Sequence, residues 1–270
     1  MRSARMTAPA ASHRPADPGF PTPIVLVAHG SRDPRAAAAT RALVRAVEAA
    51  VGPGAVVRAS YLDHTLPRPA QVLTALEAAG ERRAVLVPLL LTEAFHGRVD
   101  IPGAVAAARA DGLRMPVAVS DVLGPRIGGT VDGLLLAALR RRLAATGEKF
   151  DAVVLAAAGT RDAAARRTVA QAAGELGATL GVPCRAAYAS AAPPTAGEAV
   201  AALRAGGARR VAVAAYFLAP GLLYEAAMAS ARDAGAVATA APLEGAAELA
   251  RLVLSRVATI DPLAASPRAA

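Results

Sequence analysis

Short apolar runs alternate with segments of helical spacing along the first half of the chain. The runs PIVLVAHG, AVVRASYL, RAVLVPLLL and MPVAVS are typical of strands, and the first and third are apolar enough to be fully buried. The segments between and after these runs have apolar residues at helical spacing, which predicts helices over residues 33–52, 67–80, 101–111 and 124–146. This alternation predicts an α/β fold with a parallel sheet and helices on both faces.

The second half of the chain repeats this order. LVAHGSRD at residues 26–33 matches LAAAGTRD at residues 155–162, an offset of 129. Residues 82–91 match residues 209–218 at an offset of 127, and the pair of Tyr61 and Pro67 recurs at the same offset. Unrelated segments would not keep both order and spacing, so the sequence predicts a tandem duplication of one α/β domain.

The duplication sets the expected domain boundaries. The first copy is predicted over residues 23–147 and the second over residues 148–260, with a tail at residues 261–270. Residues 1–22 are rich in Pro, Ala and Arg and are predicted to be a disordered tail. No continuous apolar segment follows the early arginines, which argues against a secretory signal.

Two histidines follow strands in the first copy and have no counterpart in the second. His29 and His96 correspond to Ala158 and Leu223. Ligands of parallel sheets bind at the carboxyl ends of strands, where both histidines are expected. A single histidine at such a place is more often structural than functional, but the paired loss favours a shared chemical role. Two imidazoles on facing loops can bind a divalent metal or exchange protons near neutral pH.

A polar trio follows the first histidine. Ser31, Arg32 and Asp33 occupy the predicted turn, and residues 160–162 keep the pattern Thr-Arg-Asp in the second copy. Because the pattern survives where the histidine is lost, the sequence favours turn and capping roles for the trio over contact with a substrate.

Other polar residues near the predicted strand ends have open roles. Asp63 either supplies a carboxylate to the cleft or is a surface turn residue, and His64 is predicted to be a solvated loop residue. Glu93 and Asp100 either orient the second histidine or are exposed loop acids, and Arg98 is a candidate partner for a substrate carboxylate.

Composition narrows the classes of function. No apolar run approaches the roughly 20 residues of a membrane span, so a soluble protein is expected. The net charge of +9 favours anionic partners, and a small polyanion fits as well as nucleic acid because no basic block is interleaved with aromatics. Cys184 is the one cysteine, which excludes a disulfide framework and agrees with a reducing cytoplasm.

Several enzyme motifs are missing from the sequence. There is no P-loop, no G-x-G-x-x-G after the first strand and no G-x-S-x-G elbow. Ala28 stands where a histidine phosphatase would need its phosphate-binding arginine.

Three segments together resemble a known family. VAHGSRDP, YLDHTLPRP and VPLLLTEAFHGRVDIP resemble, in order, the marker segments of the sirohydrochlorin chelatases, the class II tetrapyrrole chelatases that work without ATP. The resemblance spans residues 23–260 and includes the two-copy arrangement of the long form. It implies tandem chelatase-like domains, with an active first copy and a degenerate second copy.

The resemblance also implies which residues act in the reaction. His29 and His96 would be the catalytic pair that handles the metal, and Asp63 falls where many members have an acid. Ser31, Arg32 and Arg98 are the expected substrate-binding residues. No tightly bound cofactor is expected, since Fe²⁺ or Co²⁺ would be a substrate.

The expected partners are sirohydrochlorin and a divalent metal, with no nucleic acid and no membrane, in the cytoplasm. The internal duplication is compatible with a monomer. Iron insertion for siroheme is preferred, and cobalt insertion for cobalamin is the alternative. A carrier of metal or tetrapyrrole without catalysis is the alternative from another class.

Overall fold

Two parallel four-stranded sheets form the framework of the chain. A computed structural model describes residues 22–92 and 100–260. Along the first half the elements are β1 (Ile24–Ala28), α1 (Pro34–Val51), β2 (Val57–Tyr61), α2 (Pro69–Ala78), β3 (Ala84–Pro88), α3 (Ile101–Ala110), β4 (Val117–Val119) and α4 (Gly133–Ala144). Along the second half they are β5 (Ala152–Ala157), α5 (Ala163–Leu180), β6 (Cys184–Tyr188), α6 (Ala196–Ala205), β7 (Val211–Tyr216), α7 (Leu222–Asp233), β8 (Ala238–Thr239) and α8 (Ala247–Ala258).

The two sheets have the same topology. Their strand orders are β2-β1-β3-β4 and β6-β5-β7-β8, with every neighbouring pair parallel. This confirms the predicted duplicated α/β fold and places β1 directly beside β3. The predicted tails, residues 1–22 and 261–270, lie outside the described residues except for Thr22, which is buried just before β1.

Alternation along the central strands divides each sheet between two cores. Ile24 and Leu26 of β1 pack into a central core, whereas Val25 and Val27 pack into an outer core with α2 and α3. β5 divides in the same way, and its outer face packs with α6 and α7. The central core contains residues of both sheets and of α1, α4, α5 and α8. Helices therefore cover both faces of each sheet, as the sequence predicted.

The first helix of each half begins at an aspartate cap. Asp33 accepts a hydrogen bond from the Arg35 amide at 2.9 Å, and Pro34 occupies the first helical position. Asp162 caps α5 in the same way, accepting from the Ala164 amide at 2.8 Å. The cap explains why this aspartate persists in both copies.

Helix α4 is shorter than the sequence predicted. The predicted helix began at residue 124, but α4 begins at Gly133, where the Asp132 carboxylate accepts from the Leu134 amide at 2.9 Å. Residues 121–132 form a loop instead. Pro125 disfavours helix in the residue before it, and Gly128 adopts a φ of +78°, so both break the helical pattern.

The last helix of each half packs on the sheet of the other half. Helix α4 packs on β7 and α8, and α8 packs on α1, α4 and β3. The apolar face of α4, with Leu135, Leu139 and Leu143 fully buried, therefore covers the second sheet. The two halves share one central core as a result.

Two arginines secure this exchange in a reciprocal way. Arg142 of α4 donates to the carbonyl oxygen of Leu243 in the second half, with an N–O distance of 2.8 Å. Arg256 of α8 donates to the carbonyl oxygen of Leu123 in the first half at 3.4 Å. Leu123 and Leu243 are equivalent positions. The Leu123 amide donates to the carbonyl oxygen of Leu90, just after β3, and the Leu243 amide donates to that of Phe217, just after β7. Helix α4 thus binds a loop of the second half, and helix α8 binds the equivalent loop of the first half.

No helix within the described ranges is both long and apolar enough to cross a membrane.

Replacement of Arg256 by methionine should destabilise the fold. The side chain is 18% exposed, donates to Val122 O at 3.0 Å and pairs with Asp132 at 3.2 Å. Hydrogen bonds to charged groups contribute about 1.5–3 kcal/mol each, so we expect the unfolding free energy to fall by about 2 kcal/mol. Urea denaturation measures this unfolding free energy. Arg251→Met, on an exposed position of the same helix, is the control, and equal midpoints for the two variants would contradict the assigned role.

Candidate functional site

A large cleft lies between the two halves at the carboxyl ends of the central strands. Its volume is about 1160 Å³. Residues 28–33 after β1 and residues 158–160 after β5 contribute to its wall, together with residues 217–224 of the second half. Both copies therefore line one cleft.

His29 is placed in this cleft by a tight turn after β1. The Asp63 amide donates to the His29 carbonyl oxygen at 2.7 Å, which ties the turn to the end of β2. Gly30 has a φ of +95°, and a Cβ at this position would overlap the carbonyl oxygen of Asp63. Only glycine fits there, and it lets the imidazole of His29 stand exposed in the cleft.

The second copy builds the same turn without the imidazole. The Ser190 amide donates to the Ala158 carbonyl oxygen at 3.1 Å. Gly159 has a φ of +96°, and a Cβ there would overlap the carbonyl oxygen of Ser190. The backbone is thus conserved between the copies while the side chain at position 158 is reduced to a methyl group.

The polar trio after His29 takes part in turn structure. The Ser31 hydroxyl accepts a hydrogen bond from the Asp33 amide at 3.0 Å, and Thr160 makes the equivalent bond at 3.1 Å. Ser31, Arg32 and Asp33 all line the cleft, and Arg32 is exposed. Contact of Ser31 and Arg32 with substrate stays a prediction.

Asp63 is an exposed carboxylate at the end of β2. It accepts a hydrogen bond from the His64 amide at 2.7 Å and lies 3.4 Å from the His64 Nε2. The hydrogen bond from the His64 amide lowers the pKa of Asp63. Desolvation opposes this effect, and the nearby charges of His64, Arg68 and His29 add to it. Asp63 is therefore ionised at neutral pH. It is not among the described residues that line the cleft.

His64 lies beside His29, which the sequence did not predict. The two imidazole rings are 6.4 Å apart between centroids and tilted by 44°. His64 is exposed, as expected for a loop residue, but its side chain lines the cleft. One signal in the sequence was available: His64 aligns with Ala191, so it shows the same loss in the second copy as His29 does.

The other predicted site residues on this side lie at residues 93–99. Glu93, His96 and Arg98 are outside the described residues, so their placement stays a prediction. The chain on either side of them is fixed. Thr92 lines the cleft, and the preceding Leu91 carbonyl oxygen accepts a hydrogen bond from Tyr216 of β7 at 3.0 Å.

Tyr216 remains a hydrogen-bond donor at neutral pH. Burial raises the pKa of Tyr216 far above neutrality, so its hydroxyl keeps its proton. On the other side of the segment, Asp100 directly precedes α3. The second half therefore holds the chain at Leu91, just before the segment of sequence that contains His96.

The second half faces the cleft with an apolar wall. Leu222 and Leu223 are 89% and 43% exposed, and Phe217 and Tyr224 pack edge to face with ring centroids 5.7 Å apart. All four residues line the cleft. Leu223 corresponds in sequence to His96, so the second copy has an apolar residue at the position where the first has a histidine.

An ion pair joins the two sides of the cleft. Arg35 of α1 donates to the Glu225 carboxylate of α7 at 2.9 Å and to its own neighbour Asp33 at 2.7 Å. These hydrogen bonds raise the pKa of Arg35 and lower that of Asp33. The pair is exposed, so it orients α7 towards α1 more than it stabilises the fold.

The positive charge of the chain is not concentrated in the described part of the cleft. Arg32 is the one arginine among the described lining residues, which also include Asp33 and Glu244. The described lining is therefore not rich in arginine, although the net charge of the chain favours anionic partners. Several arginines instead make structural contacts, including Arg142 and Arg256.

No preformed metal centre is found within residues 22–92 and 100–260. No three His, Cys, Asp or Glu side chains in these ranges are arranged to hold an ion. Burial raises the pKa of the Cys184 thiol to about 12, so it is protonated at neutral pH. The described cleft offers two imidazoles as metal ligands.

Solved structures share this architecture. SirB from Bacillus subtilis with Fe³⁺ superposes with a TM-score of 0.75 at 21% identity, covering 88% of this chain and 94% of that one. Sirohydrochlorin chelatase SirB from Bacillus subtilis subspecies spizizenii, in complex with cobalt, gives 0.70 with the same identity and coverage.

A multi-domain protein of Deinococcus radiodurans with similarity to chelatases gives a TM-score of 0.63 at 20% identity, covering 89% of this chain and 55% of that one. At these identities the likeness shows the fold alone.

Sequence comparison identifies the family. No curated protein matches the chain. A family model described as CbiX matches twice, over residues 23–145 and residues 152–260. Each match covers one of the two sheets, and together they span most of the chain. The chain therefore belongs to the CbiX family and carries two copies of the family's unit.

Proposed function

We propose that this protein is a sirohydrochlorin chelatase that inserts Fe²⁺ into the macrocycle within the cleft between its two copies. The observation that carries the proposal is the pairing of an exposed imidazole, His29, with a cleft of about 1160 Å³. Pockets for drug-sized ligands run to about 1,000 Å³, so this cleft is large enough for a tetrapyrrole. The family and the solved relatives support the same reaction.

The metal remains a choice between iron and cobalt. Both ions accept imidazole ligands, and availability often decides which is used. The related SirB structures hold Fe³⁺ in one case and cobalt in the other. Iron is our first assignment and cobalt the alternative.

The reaction requires proton acceptors as well as metal ligands. A divalent ion entering the macrocycle displaces two pyrrole protons, and no electrons are transferred. In our scheme His29 and His96 guide the ion and take up these protons, because neutral imidazoles can do both near pH 7. Asp63 contributes negative charge that favours the arriving cation. Ser31, Arg32 and Arg98 are the proposed contacts with the carboxylates of the substrate.

The two copies divide the work in this proposal. Residues 23–147 form the active copy, whose histidines meet the metal. Residues 148–260 form the degenerate copy, whose exposed Leu222 and Leu223 pack against the apolar face of the macrocycle. The metal is a substrate here, and the scheme needs no resident cofactor.

Multiple-turnover assays test the proposal. The full chain is incubated anaerobically with excess sirohydrochlorin and Fe²⁺ or Co²⁺, and absorbance follows the product. A chelatase converts many equivalents of tetrapyrrole per chain with at least one of the ions. A carrier would stop at one equivalent, and that result would replace the proposed catalysis by transport.

Loss of the histidines should abolish most of the activity. For His29→Ala and His96→Ala we expect a decrease on the order of 100-fold each, as for other groups that transfer protons in a transition state. The His29→Ala variant should fold, because Ala158 occupies the equivalent turn. Anaerobic insertion rates measure the effect, with circular dichroism as the folding control. Near-normal rates in the folded double variant would leave both histidines as structural residues.

Loss of the apolar wall should weaken substrate binding. A fully buried leucine side chain contributes about 1.5–3 kcal/mol, so Leu222→Ser with Leu223→Ser should weaken sirohydrochlorin binding about tenfold or more. Fluorescence or absorbance titration without metal measures the dissociation constant. Ile127→Ser is the matched control, because Ile127 is 46% exposed and lies outside the cleft lining. Unchanged affinity in the double variant would show that the macrocycle binds elsewhere.

A further inference from the structure

We propose that His64 is a ligand of the incoming metal ion and shares it with His29. The inference deepens the proposed function, since it names a residue of the same cleft. Both imidazoles line the cleft, and both belong to exposed residues. Their rings are 6.4 Å apart between centroids.

This separation suits a shared ion. Imidazole nitrogens bind divalent metals at about 2.1 Å, so two rings on one ion have ligating nitrogens at most about 4 Å apart. Each nitrogen lies roughly 1.1 Å from its ring centre, so centroids 6.4 Å apart reach that spacing when the two nitrogens point at each other across the ion. Small rotations of exposed side chains would complete the geometry.

Neighbouring oxygens indicate which nitrogens would ligate. The Asp63 Oδ2 lies 3.4 Å from His64 Nε2, so this carboxylate can pair with that nitrogen and leave Nδ1 to the ion. Carboxylates hold ligating histidines in this way in many metal sites, fixing both tautomer and ring orientation. His29 Nδ1 lies 3.2 Å from the Gly30 carbonyl oxygen, which places its lone pair on Nε2.

The backbone separates the role of the side chain from that of the turn. His64 has a φ of +56°, a conformation that non-glycine residues rarely adopt. Ala191 holds the equivalent position in the second copy with a φ of +66°. The turn therefore forms with alanine, and the imidazole is not needed to build it. The histidine is present only in the copy that also carries His29.

A site of two imidazoles also suits a transfer step. Within the described ranges no third His, Cys, Asp or Glu completes a tight metal centre. Fe²⁺ and Co²⁺ both accept imidazole, and these two ligands, even with His96 as a third, leave coordination positions to water. An ion held in this way can pass to the nitrogens of the macrocycle.

Direct titration with Co²⁺, without tetrapyrrole, tests the proposal. The full chain, His29→Ala and His64→Ala are compared by calorimetry and by the visible absorption of bound Co²⁺. We expect each variant to lose affinity on the order of tenfold or more, with a smaller shift of the Co²⁺ spectrum. Added imidazole should partly restore the spectrum of His64→Ala, a response that a structural role would not give.

The controls separate this inference from the proposed function. His64→Ala should fold because Ala191 fills the same turn, and His64→Asn, which tolerates positive φ, is a second variant with the same expectation. Arg251→Met should bind Co²⁺ as the wild type does. Loss of affinity in His29→Ala alone would overturn the role of His64 and leave the chelatase assignment standing. Unchanged affinity in both variants would overturn the shared site.

Discussion

The exchange of helices α4 and α8 between the two sheets is the constraint on which the rest of the structure depends. Each helix buries its apolar face against the half of the chain that it does not follow. Arg142 and Arg256 then bond to equivalent backbone carbonyl oxygens on the far side. Because neither half can complete its inner face alone, the relative position of the sheets is fixed. The carboxyl ends of β1 and β5 consequently border one cleft of defined size.

Within that fixed frame the two copies differ in chemistry and not in backbone. Gly30 and Gly159 make the same turn against the same neighbouring carbonyl, yet one turn carries an imidazole and the other a methyl group. The position after β2 repeats this contrast between His64 and Ala191. The exposed leucines of the second copy then form an apolar wall. One side of the cleft is suited to an ion, and the other to the face of a planar macrocycle.

Much of this was predictable because it depends on local pattern. The apolar runs predicted the central strands, and the repeated phrases predicted the duplication and the turn that holds His29. The caps at Asp33 and Asp162 were visible for the same reason. The start of α4 was misjudged because apolar residues continue through Pro125 and Gly128, where the backbone turns.

Other features depend on contacts that periodicity does not encode. An amphipathic pattern shows that α4 has an apolar face but not which sheet that face covers. His64 follows a strand in a loop with no period, so its approach to His29 emerges only in three dimensions. Its replacement by alanine in the second copy was the one sequence signal for it.

Anomalous scattering from crystals soaked in Co²⁺ distinguishes the two copies, because only the first copy is proposed to bind the metal. We expect one strong peak per chain, within ligand distance of His29 and His64. We expect no peak beside Ala158 and Ala191, where the same backbone lacks both imidazoles. A peak of similar height at the second copy, or none at His29, would contradict the division of labour between the two copies.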